Sequence, residues 1–156
     1  PIITYNKGGL MLSVQNYMTD SVYTIKPTDS LHDVKQLMEG AQIRHAPVVN
    51  SDGRFCGLVT HRDLLNHTIS QLADIDEQTK TEINQAILVK DIMQTDIVCA
   101  APDLSIAEAG NLLLKLKYGC LPVVVGDILV GILTEADFIK IALSLLPKEE
   151  EESTHA

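Results

Sequence analysis

Apolar and polar residues alternate along this chain in a pattern that is written twice. Leu31, Val34, Leu37, Met38 and Ala41 recur at helical spacing and share one face. Ile106, Ala109, Leu112, Leu113 and Leu116 repeat that spacing. Each helical stretch follows a short apolar run, 22–25 or 97–100, that stops before Pro27 or Pro102 and predicts a strand. Ser30 and Ser105 stand where helix N-caps belong, with Asp33 and Glu108 three residues on. Glu108 predicts a complete capping box and Asp33 a weaker one. Beyond each helix, two apolar runs flank a tight turn, at 51–53 or at 126–127, and predict a hairpin. A second helix then begins near His61 or Glu135. It carries Leu64, Leu65, Ile69 and Leu72, or Phe138, Ile139, Leu143 and Leu146. Each unit therefore reads as β-α-β-β-α.

The duplication is visible residue by residue. At an offset of 75, Val14, Met18, Pro27, Ser30, Leu37 and Pro47 meet Val89, Met93, Pro102, Ser105, Leu112 and Pro122. After a one-residue deletion the offset is 74, and Gly57, Thr60 and Asp63 meet Gly131, Thr134 and Asp137. A half of this size buries too little surface to stand alone, so the halves are expected to pack on each other. The fold class expected is mixed α/β (α+β), with two repeats related by a pseudo-twofold axis. The divisions are an N-terminal extension at 1–13, repeat one at 14–72, a polar linker at 73–88, repeat two at 89–146 and an acidic disordered tail at 147–156. The linker is expected to be exposed, with a helical turn near 81–87.

Composition narrows the function. The chain has 46% hydrophobic residues in 156, enough for a real core, but only four Tyr, two Phe and no Trp. That core must be aliphatic, and base stacking on aromatic platforms is not expected. A net charge of −9, four units of it in the run at 149–152, does not suit nucleic acid polymers or anionic membranes. The three cysteines have no CxxC spacing and apolar neighbours, so they read as buried hydrophobes in a reducing compartment. The histidines lack metal-ligand spacing. No apolar run is long enough to span a bilayer, and the first dozen residues lack a secretory pattern, so a cytoplasmic protein is expected.

Candidate chemistry gathers where each hairpin meets its second helix: Gly57-Leu58-Val59-Thr60-His61-Arg62-Asp63 and Gly131-Ile132-Leu133-Thr134-Glu135-Ala136-Asp137. Thr-x-x-Asp at a helix start is a variant of the capping box and needs no ligand. The same geometry also suits a nucleotide. Free N–H groups and the positive dipole end attract phosphate, and a carboxylate one turn along can accept two hydrogen bonds from a ribose diol. Retention of the motif in both halves of an otherwise divergent repeat favours the second reading. No nucleophile elbow, Walker loop or dinucleotide fingerprint is present, so an enzyme is not expected.

The ordered set of motifs resembles a tandem pair of CBS (cystathionine β-synthase) domains, the Bateman module. Each copy has a Met-containing opening (Tyr17-Met18-Thr19, Ile92-Met93-Gln94) and a strand leading to proline. Next come Arg44-His45-Ala46-Pro47-Val48-Val49 or Gly119-Cys120-Leu121-Pro122-Val123-Val124, and the glycine-to-aspartate motif closes each copy. The whole also resembles stand-alone bacterial pairs of the acetoin-utilisation type. The resemblance implies a regulatory module with two clefts that bind AMP, ADP, ATP or S-adenosylmethionine as regulatory ligand, with no obligatory cofactor. By that resemblance Asp63 and Asp137 would hold ribose hydroxyls, and Thr60 and Thr134 would contact phosphate or ribose. Thr24 and Ile25 with Ile43, Arg44 and His45 would line one adenine slot. Cys99 and Ala100 with Tyr118, Gly119 and Cys120 would line the other. A ligand-free dimerisation scaffold is the alternative.

The copies differ in charge. Arg44, His45, His61 and Arg62 surround the first motif, and Gly119, Cys120, Glu135 and Ala136 take the matching places in the second. Phosphate is therefore expected to be held mainly by copy one. Surplus apolar residues on the helices (Leu114 and Leu116; Ile141, Leu143 and Leu145) point to a homodimer, and the regulated protein partner is unknown.

Overall fold

In the computed structural model, residues 12–69 and 74–148 are described. Residues 1–11, 70–73 and 149–156 lie outside them, and with them Leu72, the start of the extension and the glutamate run of the tail. Copy one holds α1 (Leu31–Ala41), the antiparallel pair β1 (His45–Val49) and β2 (Phe55–Thr60), and α2 (His61–Ile69). A further helix, α3 (Glu77–Ala86), and a single turn, α4 (Val89–Ile92), lead into copy two. That copy holds α5 (Ile106–Lys115), the antiparallel pair β3 (Cys120–Val125) and β4 (Ile128–Thr134), and α6 (Glu135–Leu145).

The predicted hairpins and helices form, with three differences. The stretches 22–25 and 97–100 are not full strands. Each adds a single parallel bridge, Ile25 to Val48 and Ala100 to Val123. Ile25 N donates to Pro47 O and Val49 N to Ile25 O, and Ala100 makes the matching pair with Pro122 and Val124. The adjacent prolines cut the ladder there, since proline brings no N–H and biases its predecessor.

The linker is more ordered than its polarity suggests. Asp76 caps α3 by accepting from Thr79 N at 2.7 Å, and Asn84 on that helix is buried. An N-cap and a run of good helix formers suffice once α1 offers a surface to pack on.

The caps of α1 and α5 also reverse their predicted order. Asp33 completes the reciprocal box, accepting from Ser30 N at 2.8 Å while Asp33 N donates to Ser30 Oγ. The longer Glu108 side chain instead takes the Ser105 hydroxyl at 3.1 Å.

The opening segments exchange between the copies. Val89 is buried in the copy-one core with Leu31, Val34, Val48 and Val59. Val14 is buried in the copy-two core with Leu104, Leu113, Leu121 and Leu133. Thr19 pairs with Ile132 across the backbone, and Gln94 with Leu58. This exchange explains why methionine and glycine recur together. A Cβ on Gly57 would lie 2.7 Å from Gln94 O and 3.0 Å from Met93 Sδ, and one on Gly131 would run into Met18 Sδ. Leu58, Cys120 and Ile132 form a third cluster joining the copies. The hairpin tips meet as well: Phe55 N donates to Asp127 O, and Arg54 bridges to Asp127 at 3.0 Å.

Candidate functional site

Between the copies lies a cleft of about 530 Å³. Copy one supplies Arg44 and His45 from the entry to β1, and Thr60, His61, Arg62 and Leu65 from the β2–α2 junction. Copy two supplies Gln94 from its opening segment, Lys117, Tyr118 and Gly119 from the turn before β3, and Glu135 at the start of α6. The hydrogen bonds of the β2–α2 turn fix its geometry. Thr60 N and Oγ1 donate to Asp63 Oδ2 at 2.8 and 2.9 Å, and Asp63 N donates back to Thr60 Oγ1 at 3.2 Å. His61 N donates to Arg44 O at 2.8 Å. The first amides of α2 are thus largely engaged within the cap. The charged residues that line the cleft are Arg44, Arg62 and, from the other copy, Lys117 and Glu135, three cations against one carboxylate. Guanidinium groups match phosphate in charge and in fork geometry.

Asp63 is held further. Gln94 Nε2 donates to its Oδ1 at 3.0 Å and its Oδ2 at 2.9 Å. Gln94 lines the cleft, and Asp63 stands behind it. In copy two, Asp137 is buried and accepts from Thr134 N at 2.8 Å and from Thr134 Oγ1 at 3.3 Å. Both motifs therefore form caps, whatever else they hold.

His45 crosses from copy one to copy two. It lies against the Tyr118 backbone and beside Gly119 and Glu135. Burial holds its imidazole below the ordinary value, and the Tyr118 backbone and the Glu135 charge offset this only in part. Gly119 has φ +73°, and a Cβ there would come within 3.3 Å of His45 Nε2. Tyr118 is half-buried against the inter-copy cluster, and its hydroxyl accepts from Val98 N at 2.9 Å.

The other predicted positions sit apart from this cleft. Thr24 is exposed, Ile25 and Ala100 are core residues, and Ile43 packs against the copy-one core. Cys120 is buried, and desolvation pushes its thiol up to about 12. Cys99 is half-buried, its thiol pushed up to about 11. Both are unreactive thiols at neutral pH. Lys117, Gln94 and Leu65 are cleft residues to which the sequence reading gives no ligand role, and Glu135 enters it only as the acidic counterpart of His61. Lys117 adjoins the tyrosine turn and Gln94 the methionine opening, and only the packing of the copies turns them inward. Among the described residues no group of acidic, histidine or cysteine side chains could hold a metal ion, and no helix is long and apolar enough to cross a membrane.

The CBS domain model matches residues 14–70 and 89–144. The chain belongs to the CBS domain family, as a tandem pair. Among solved structures it is similar to a Vibrio cholerae protein assigned to acetoin utilization (AcuB), with 37% identity and a TM-score of 0.72 over 87% of this chain and 93% of that one. It is also similar to CBSX2 of Arabidopsis thaliana, solved in complex with AMP, with 26% identity and a TM-score of 0.71 over 85% and 96% of the two chains. An inosine-5'-monophosphate dehydrogenase of Methanocaldococcus jannaschii is 32% identical over 120 residues, which span 76% of this chain but only 21% of that enzyme. The similarity to that enzyme therefore covers a CBS-sized part of it.

Proposed function

We propose that this CBS pair is a regulatory module that binds an adenine nucleotide in the inter-copy cleft. One observation carries the reading: Arg44, Arg62 and Lys117 converge on a single cleft at the capped start of α2. Three cations against one carboxylate, Glu135, leave the concavity net positive, which suits an anionic group better than a neutral one. The complex of CBSX2 with AMP supports the ligand class. S-adenosylmethionine is the less favoured member of that class, because it brings no phosphate to the cationic side. Binding between the copies would favour one arrangement of the pair, which a partner protein reads.

Calorimetry with AMP, ADP, ATP and adenosine tests this reading. Arg62→Ala is expected to weaken nucleotide binding roughly ten- to hundredfold, the worth of a charge-assisted hydrogen bond, and to change adenosine binding little. Equal loss for both, or no binding by the unaltered protein, would defeat it.

We also infer that the module self-associates as a homodimer. Ile139, Leu143, Leu145 and Leu146 on and after α6 are 62%, 64%, 79% and 61% exposed, a run of large apolar side chains that water disfavours.

A further inference from the structure

Asp63 stands behind the cleft, bonded to Gln94, which lines it, and its carboxylate is occupied. Oδ2 accepts from Thr60 N, Thr60 Oγ1 and Gln94 Nε2, whereas Oδ1 accepts from Gln94 Nε2 at 3.0 Å and from no residue of the cap. Gln94 belongs to the opening segment of the other copy. Its backbone is fixed by two bonds to Leu58, Gln94 N to Leu58 O at 2.8 Å and Leu58 N to Gln94 O at 2.9 Å. Its side chain alone is free to swing, since it sits on the cleft surface and carries three rotatable bonds. Copy two provides the control. Thr19 takes the matching position and makes the matching backbone pair with Ile132, both bonds 2.9 Å, but threonine carries no amide to offer Asp137.

We propose that Gln94 is an internal competitor for the ribose diol: Asp63 Oδ2 stays with the Thr60 cap, Gln94 holds Oδ1, and a nucleotide hydroxyl gains Oδ1 only by displacing that amide. The proposal rests on the cleft being the nucleotide site. Its consequence is selectivity. A ligand with both ribose hydroxyls replaces the lost amide bond, whereas a ligand without them leaves Gln94 in place and gains nothing from Asp63. Displacement also connects the site to the opening segment of copy two, because the side chain that moves is rooted beside Gly57.

The test is calorimetry of AMP and 2′,3′-dideoxy-AMP with the unaltered protein and with Gln94→Thr, which installs the residue that copy two already uses. With the competitor removed, AMP is expected to tighten on the order of tenfold, and dideoxy-AMP to stay within about twofold, the difference being one charge-assisted bond no longer broken. A second measurement needs no variant: the Gln94 side-chain amide signal in NMR should shift with AMP and stay in place with dideoxy-AMP. If AMP and dideoxy-AMP change in parallel in the variant, if AMP weakens, or if both ligands move the amide signal alike, Gln94 is not a competitor, and the nucleotide reading stands without it. If the unaltered protein binds neither ligand, both fall together.

Discussion

The starts of α2 and α6 are the same structure with different chemistry. Each follows a glycine-containing strand, each puts threonine at the cap, and each turns an aspartate back onto that threonine's N–H at 2.8 Å. Even the bond across the turn is shared: His61 N donates to Arg44 O and Glu135 N to Gly119 O. What differs is the side chains that the shared backbone displays. Copy one shows Arg44, His61 and Arg62, while copy two shows Gly119, Glu135 and Ala136. Duplication preserved what the fold needs, a cap and a close backbone approach. The displayed residues, free of that duty, diverged into a cationic wall and a wall that is neutral to acidic. Copy two still brings one cation to the shared cleft, Lys117, from the turn before β3.

The largest effects should come from breaking the approach that both copies share. Gly57→Ala drives a Cβ toward the Gln94 backbone carbonyl, which is fixed, whereas Gly131→Ala first meets the Met18 side chain, which can yield. Both are expected to destabilise, by about 1–3 kcal/mol, with Gly57→Ala the worse. Urea unfolding of the two variants decides it, and equal costs would mean that the two openings are equally rigid.

The next effect separates the outer helices. Leu143→Glu on α6 should dissociate the proposed homodimer in sedimentation velocity without lowering the monomer's melting temperature, because that side chain is 64% exposed. An unaltered sedimentation profile would remove this face of α6 from the proposed interface.

The smallest effect is electrostatic and lies where the copies touch. Burial lowers His45 below its ordinary 6.5, so the unfolded chain takes up that proton first. The stability from keeping His45 neutral is complete above about pH 6.5 and is lost as pH falls below it toward the folded value. Unfolding midpoints between about pH 7.5 and pH 5.5 should fall, and His45→Gln should flatten that slope. An unchanged slope would assign the pH dependence to other groups.

Part of the site is legible in the amino-acid sequence. Thr60, Asp63, Thr134 and Asp137 stand out because a cap motif is local and repeated, but of these four only Thr60 lines the cleft. Arg44, His45, His61 and Arg62 follow because they adjoin it, and they do line the cleft. Lys117 and Gln94 cannot be found that way, since neither belongs to a periodic pattern and each reaches the cleft from the opposite copy. The apolar faces mislead in one respect. Leu65 and Ile139 share helical spacing with core residues, yet they lie 47% and 62% exposed. Periodicity identifies a face but not what covers it.

The sequence by itself determined the duplication, the cap positions, the hairpins and the family, because each is written in short local patterns that can be recognised without knowing which distant residues touch. Only the tertiary structure decided that the opening segments cross over, seating Val14 in the second core and Val89 in the first. That exchange carries Gln94 to Asp63, while the packing of the copies brings Lys117 into the cleft beside Arg62. Contacts of this kind join residues dozens of positions apart. Their free energy comes from closing two half-cores on each other, which no local pattern records.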